Sequence, residues 1–171
     1  MIGIVLEQIL NGLLVGSYYI VLSLGLSLIF SLGGVVNLAH GAFYALGAYF
    51  AYEVQRRLGF GGAVVLSPVG VALVGIVIER LFLRRLYRED PMLGLLFTFG
   101  LAMTAEQSLR LIWGTTGLNF SIPDALRGQL LLGDFIYSYY RLTVLAVTML
   151  AVTGCWLLLN KTPFGMIVRA G

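Results

Sequence analysis

The sequence predicts an all-α integral membrane protein of about five transmembrane helices, the second of them broken, with a short β-hairpin-like segment on the outer side. Three observations carry this. Apolar residues make up 59% of the 171 and charged residues only 11%, against ~25% charged in an average soluble domain, and mean hydropathy is +0.94. No Lys, Arg, Asp or Glu interrupts the block from Gln8 to Tyr52, which is two spans' worth of chain when ~20 helical residues cross a ~30 Å hydrocarbon core. The 22 glycines suit a membrane bundle, where small residues let helices approach closely.

The first span is expected at about 9–31. Gly12, Gly16, Ser23, Ser27 and Ser31 fall near one helix face, which favours tight packing against a neighbouring span over a chemical role. Glu7 stands where a signal peptide would carry positive charge, and the apolar run exceeds the usual ~7–15 residues, so this span is expected to stay in the mature protein. The second span, about 32–52, is expected to break around Gly33 to Gly41. Loosened backbone and polar side chains are tolerated at membrane depth only where they face protein or a watery cavity, so this stretch is the first candidate to line a path.

A short polar segment from Glu53 to Phe60 separates it from a third span at about 61–83, with Pro68 as the expected kink. The densest charge cluster follows, from Glu79 through Arg80, Arg84, Arg85 and Arg88 to Asp90. The fourth span, about 93–113, holds Thr98, Thr104, Glu106 and Arg110 and ends on Trp113, a residue type that anchors at interfaces. Gly114 to Arg141 lies outside the membrane, and two apolar runs around Gly133-Asp134 signal a β-hairpin between Gln129 and Tyr140. A fifth span at about 142–159 leads into a polar tail with Lys161 and Arg169.

All but Lys161 of the 11 basic residues are Arg, and they flank apolar runs. The net charge of +3 therefore reads as a topology signal, not a nucleic-acid surface. Basic residues favour the cytoplasm, so Arg80 to Arg88 is expected inside, Gly114 to Arg141 outside, the tail inside and the N-terminus outside. Arg56 and Arg57 run against that count, and a re-entrant second span would put the N-terminus inside.

Chemistry-bearing residues are sparse. His40 is the single histidine and Cys155 the single cysteine, so no metal or disulfide framework is expected. Asn37 and His40, at i and i+3, would share a face in a helical turn. They would either brace the break through freed backbone carbonyls or contact a solute, with bracing favoured. Glu106 and Arg110 have the i, i+4 spacing of an ion pair; a structural pair is favoured over a place on the path, although an ionisable group in a span is a functional candidate by default. No phosphate-cradling motif and no nucleophile with a partner base is present, so neither nucleotide hydrolysis nor enzyme chemistry is expected of the chain.

Three stretches resemble the permease subunits of bacterial ABC importers for branched-chain amino acids, the LivH-like family. They are GLLVGSYYIVLSLGLSLIFSLGGVVNLAHGAFYALGAY, with its N-L-A-H-G core at Asn37 to Gly41, then ERLFLRRLYREDPMLGLLFTFGLAMTAEQSLRLIWG, and TPFGMIVRA from Thr162 to Ala170. The resemblance implies a multi-pass inner-membrane permease working with a second permease subunit, two cytoplasmic ATPase subunits that hydrolyse ATP, and a periplasmic solute-binding protein. It implies no cofactor on this chain. Asn37, His40 and Gly41, with Glu106, become candidates for the translocation path; Thr162, Gly165 and Arg169 become candidates for coupling to the ATPase. Family members continue with further spans, so the chain is expected to be truncated after its fifth. Related permeases carry urea or short amides. A gradient-driven carrier or channel, and a structural subunit that does not transport, are the rival readings.

Overall fold

The computed structural model describes residues 2–34, 36–87, 89–132, 135–163 and 165. The chain forms two compact units, 32–121 and 1–31 with 122–171, each with its own packing.

In the unit 32–121, α2 (His40–Ile78) passes through a π turn (Glu79–Leu83) into a last helical turn, α3 (Arg84–Leu86), and α4 (Pro91–Trp113) follows. The 47 residues from His40 to Leu86 read as one helix, which would measure ~70 Å if straight. It is not straight. Gly59 has φ 74° and ψ −178°, a conformation that essentially only glycine adopts. Beyond it the chain folds back: a β-carbon at Gly70 would lie 2.9 Å from the Phe50 ring, and one at Gly47 would lie 3.5 Å from Val71. On a straight helix Phe50 and Gly70 would stand ~30 Å apart. α2 is therefore a helical hairpin with arms 40–58 and 60–78.

One sequence expectation changes here. The polar stretch from Glu53 is helical through Leu58, and the reversal is concentrated at Gly59. Pro68 lies inside the helical second arm. A proline removes one helical hydrogen bond, whereas a positive φ redirects the chain outright.

α4 is capped by Asp90, whose Oδ1 accepts from the Met92 N–H at 2.8 Å, with Pro91 opening the first turn. It stops at Gly114, φ 81°. Both arms of α2 pack on it. Ala42 and Leu46 from the first arm, Val74 and Ile78 from the second, and Leu101 and Ala105 of α4 enclose a small apolar cavity of about 80 Å³. Phe82 stacks on Phe97 at 5.4 Å. At the hairpin end, Trp113 Nε1 donates to Glu53 at 2.9 Å and its ring lies 4.9 Å from Tyr49. The Gln55 amide donates to the Ser121 carbonyl, and Phe60 meets Phe120 edge-on at 6.2 Å. At the opposite end Arg80, Arg84 and Arg85 are exposed. Desolvation, and then the nearby Glu79 carboxylate, hold the Tyr87 phenol above its ordinary pKa.

The other unit holds α1 (Ile2–Gly33, up to Ser31), a hairpin of β1 (Gln129–Leu132) and β2 (Phe135–Ser138), and α5 (Tyr139–Lys161). The strands are antiparallel, with Leu132 opposite Phe135 and Gln129 opposite Ser138. That register leaves the two-residue connection expected from Gly133-Asp134, residues that lie outside the described set. Tyr137 is 2% exposed, with the Phe135 ring stacked 5.9 Å away. Tyr139 N–H donates to the Gly128 carbonyl at 3.0 Å, and a β-carbon at Gly128 would come within 2.6 Å of the Tyr139 ring. Only glycine fits there.

The hairpin is fastened to the start of α1. Glu7 accepts from the Ile136 N–H at 3.0 Å, and Arg141 donates to Asn11 at 2.8 Å. The N-terminal ends of α1 and α5 therefore lie together in this unit. Among the described residues, nothing lies within 4 Å of a β-carbon at Gly12 or Gly16.

Candidate functional site

Regular helix stops between Gly33 and His40. Gly34 turns the chain with φ 64°, and the next backbone groups are satisfied locally. The Asn37 side-chain oxygen accepts from the Ala39 N–H at 3.0 Å, and the Asn37 carbonyl accepts from the His40 N–H at 3.2 Å. This is an Asx-type turn feeding the first turn of α2. Asn37 does brace the break, but by accepting from an amide, not by capping freed carbonyls. It lies before the helix, so it and His40 do not occupy one helical face as the i, i+3 spacing had suggested. His40 is the first residue of α2 and is half-buried.

The break is held from across the unit by a residue that sequence reasoning left without a role. Thr98, fully buried, accepts from the Leu38 N–H at 3.2 Å. Its hydroxyl also lies 3.4 Å from the Val36 carbonyl and 3.1 Å from that of Leu95, and its one proton serves these two acceptors. Thr98 sits two turns into α4, about 10 Å from Pro91. α4 is long and apolar enough to cross a membrane, and inside hydrocarbon unpaired backbone groups cost several kcal/mol each (~2–7) and must be satisfied internally. Gly94, one turn before Thr98, is buried on the same face of α4.

Beside the break, the first arm of α2 and α4 line a groove of about 440 Å³. Gly41, Ala42, Ala45 and Tyr49 form one wall, Ala102, Glu106 and Arg110 the other. Gly41 and Glu106, both path candidates, thus come together in one groove, while Asn37 and His40 are not among its lining residues. Glu106 and Arg110 pair at 2.6 Å, each side chain 53% exposed. A second, wider opening of about 790 Å³ lies at the hairpin end, lined by Tyr52, Glu53, Arg56, Arg57, Trp113 and Leu118. Arg56 stands 3.9 Å from Glu53 and 5.7 Å from the centre of the Tyr52 ring.

The coupling candidates are remote from the groove in sequence and belong to the other unit. Thr162 ends α5 in an extended conformation, its hydroxyl donating to the Leu158 carbonyl. Gly165 N–H donates to the Thr162 carbonyl at 3.1 Å, and a β-carbon there would collide with the carbonyl of Leu159. Arg169 lies outside the described residues. Among the described residues no group of His, Cys, Asp and Glu is arranged to hold a metal ion.

The family described as "Branched-chain amino acid transport system / permease component" matches residues 8–171. The chain is 26% identical over 180 residues to the high-affinity branched-chain amino acid transport system permease protein BraD of Pseudomonas aeruginosa. It is 24% identical over 184 residues to the LivH protein of Escherichia coli K12, and 23% identical to that of Salmonella typhimurium. In each comparison 96% of this chain is covered and 58% of the relative, so the chain spans little more than half the length of these proteins. No solved structure matches it. With membrane-spanning helices throughout and a family match over nearly its whole length, the chain belongs to the branched-chain amino acid transport permease family.

Proposed function

We propose that this chain is part of the transmembrane permease of an ATP-driven importer that moves branched-chain or other aliphatic amino acids across the bacterial inner membrane. The observation that carries the reading is the interruption of regular helix, braced by Asn37 and Thr98, directly beside a groove that holds Gly41 and Glu106. A break that served only to turn the chain would sit at the interface, where water satisfies the backbone. One braced against a span and opening on a groove suits a path for a polar solute.

ATP is hydrolysed by two cytoplasmic partner subunits, because the chain carries no phosphate-cradling motif of its own. A second permease subunit completes the path, and a periplasmic binding protein delivers the solute. Thr162, Gly165 and Arg169 lead toward the ATPase contact. The experiment is a pull-down from detergent-solubilised membranes, comparing the intact chain with one lacking Asn160 to Gly171. An ATPase that co-purifies with the intact chain alone supports the reading. Uptake that survives ATP depletion and collapses with the membrane potential would replace it with a gradient-driven carrier.

A further inference from the structure

We infer that the groove between the first arm of α2 and α4 is a dipolar binding site for a zwitterionic α-amino acid. Glu106 takes the ammonium group, Arg110 takes the carboxylate, and the aliphatic side chain lies against Ala42, Ala45 and Ala102. This deepens the transport reading and rests on it for the class of solute.

The two charges belong to one groove, whose volume of about 440 Å³ falls within the ~300–1,000 Å³ of small-molecule sites. They are held one helical turn apart with opposite sign, so the groove carries a dipole of the kind a zwitterion matches. Charge inside a span is costly unless it is enclosed or faces a watery cavity, and both side chains line this groove. Here both side chains remain 53% exposed, and the hydrogen bond between them runs along α4.

A pair this open is weakly held. It can separate in exchange for two charge-assisted hydrogen bonds to a ligand that brings one charge of each sign. In the empty groove each charge neutralises the other, so neither is stranded when the solute leaves. The rest of the lining sorts by size. Three alanines and Gly41 leave room for a branched aliphatic chain, and Tyr49 closes the wall with an aromatic edge.

The test uses the intact chain in lipid nanodiscs, with saturation-transfer NMR on three probes. L-leucine carries both charges, leucinamide lacks the carboxylate, and 4-methylpentanoate lacks the ammonium. Leucine is expected to receive saturation several-fold more strongly than either analogue. Glu106→Gln and Arg110→Gln are each expected to remove that preference. The exchange of both, Glu106→Arg with Arg110→Glu, preserves the ion pair and hence the fold. It reverses the dipole, which turns the side chain away from the alanine wall and weakens leucine several-fold.

Equal signals from all three probes on the unmodified chain would overturn the site, as would an exchanged variant that binds leucine as the original does. No leucine signal from the folded chain would overturn it too. The outcome is separable from the transport reading: zwitterion selectivity without a co-purifying ATPase sinks the importer and leaves the site standing. ATPase capture without selectivity does the reverse.

Discussion

The hydroxyl oxygen of Thr98 lies 3.2 Å from the amide nitrogen of Leu38, a residue 60 positions earlier in the chain. This contact joins α4 to the non-helical stretch between α1 and α2. Thr98→Val keeps the side-chain shape and removes the hydroxyl. It leaves the Leu38 N–H without a partner, at a cost of about 1–3 kcal/mol. Thr98→Ser keeps the acceptor and is expected to remain close to the original. Thermal unfolding in detergent should order the three as original, Ser, Val.

The reversal at Gly59 makes a distance prediction. With Cys155 replaced by Ser, cysteines placed at Gly47 and Val71 should be joined by a short bis-thiol reagent, because a β-carbon at Gly47 lies 3.5 Å from the Val71 side chain. On an unbent helix those positions would stand ~36 Å apart and no reagent of that length would reach. Gly59→Ala meets no neighbouring atom within 4 Å, so its effect isolates backbone strain. A loss of about 1–3 kcal/mol is expected, read as a lower unfolding temperature.

The tie between Glu7 and Ile136 fixes sidedness. Single cysteines at Gly3 and Leu131 should react with a membrane-impermeant thiol reagent from the same side of oriented vesicles. A cysteine at Glu89 should react only from the other. Labelling of Gly3 and Glu89 from one side would overturn this arrangement.

Tyr87 supplies a pH signature outside the spans. Its phenol is held above the ordinary value of 10.0 by desolvation and then by Glu79. The folded chain therefore keeps this proton at a pH where the unfolded chain has lost it, and stability falls as the pH rises past 10. Difference absorbance against Tyr87→Phe should show one tyrosine titrating later than the exposed ones. The effect on stability is small, since the side chain is partly exposed.

The sequence revealed local features better than distant ones. The break was legible because Gly33-Gly34 and Asn37 are turn chemistry inside an apolar run, and the outer hairpin because Gly133-Asp134 sits between two short apolar runs. The pairing of Glu106 with Arg110 followed from helical spacing alone. Thr98 as the brace did not, because a threonine in a span has no local mark that tells a tertiary hydrogen bond from one to its own helix. Thr104, whose hydroxyl donates to Gly100, is the counter-example on the same helix. Gly59 was hidden by its neighbours, since Gly61 and Gly62 offer the same freedom two and three residues later. The bond from Glu7 to the hairpin joins residues 129 positions apart in the chain, which no local pattern signals.

The first arm of α2 is held at both ends by different partners. At one end Trp113 and Ser121 grip Glu53 and Gln55; at the other, Thr98 grips the segment that leads into His40. Between them lies an unbroken helical strut, stiff along its length. It cannot slide along its axis without releasing one of the two grips, and the Thr98 grip is the smaller. A displacement of the loop after Trp113 is therefore expected to reach the backbone at 36–39 through this helix, which has no non-helical residue between His40 and Leu58.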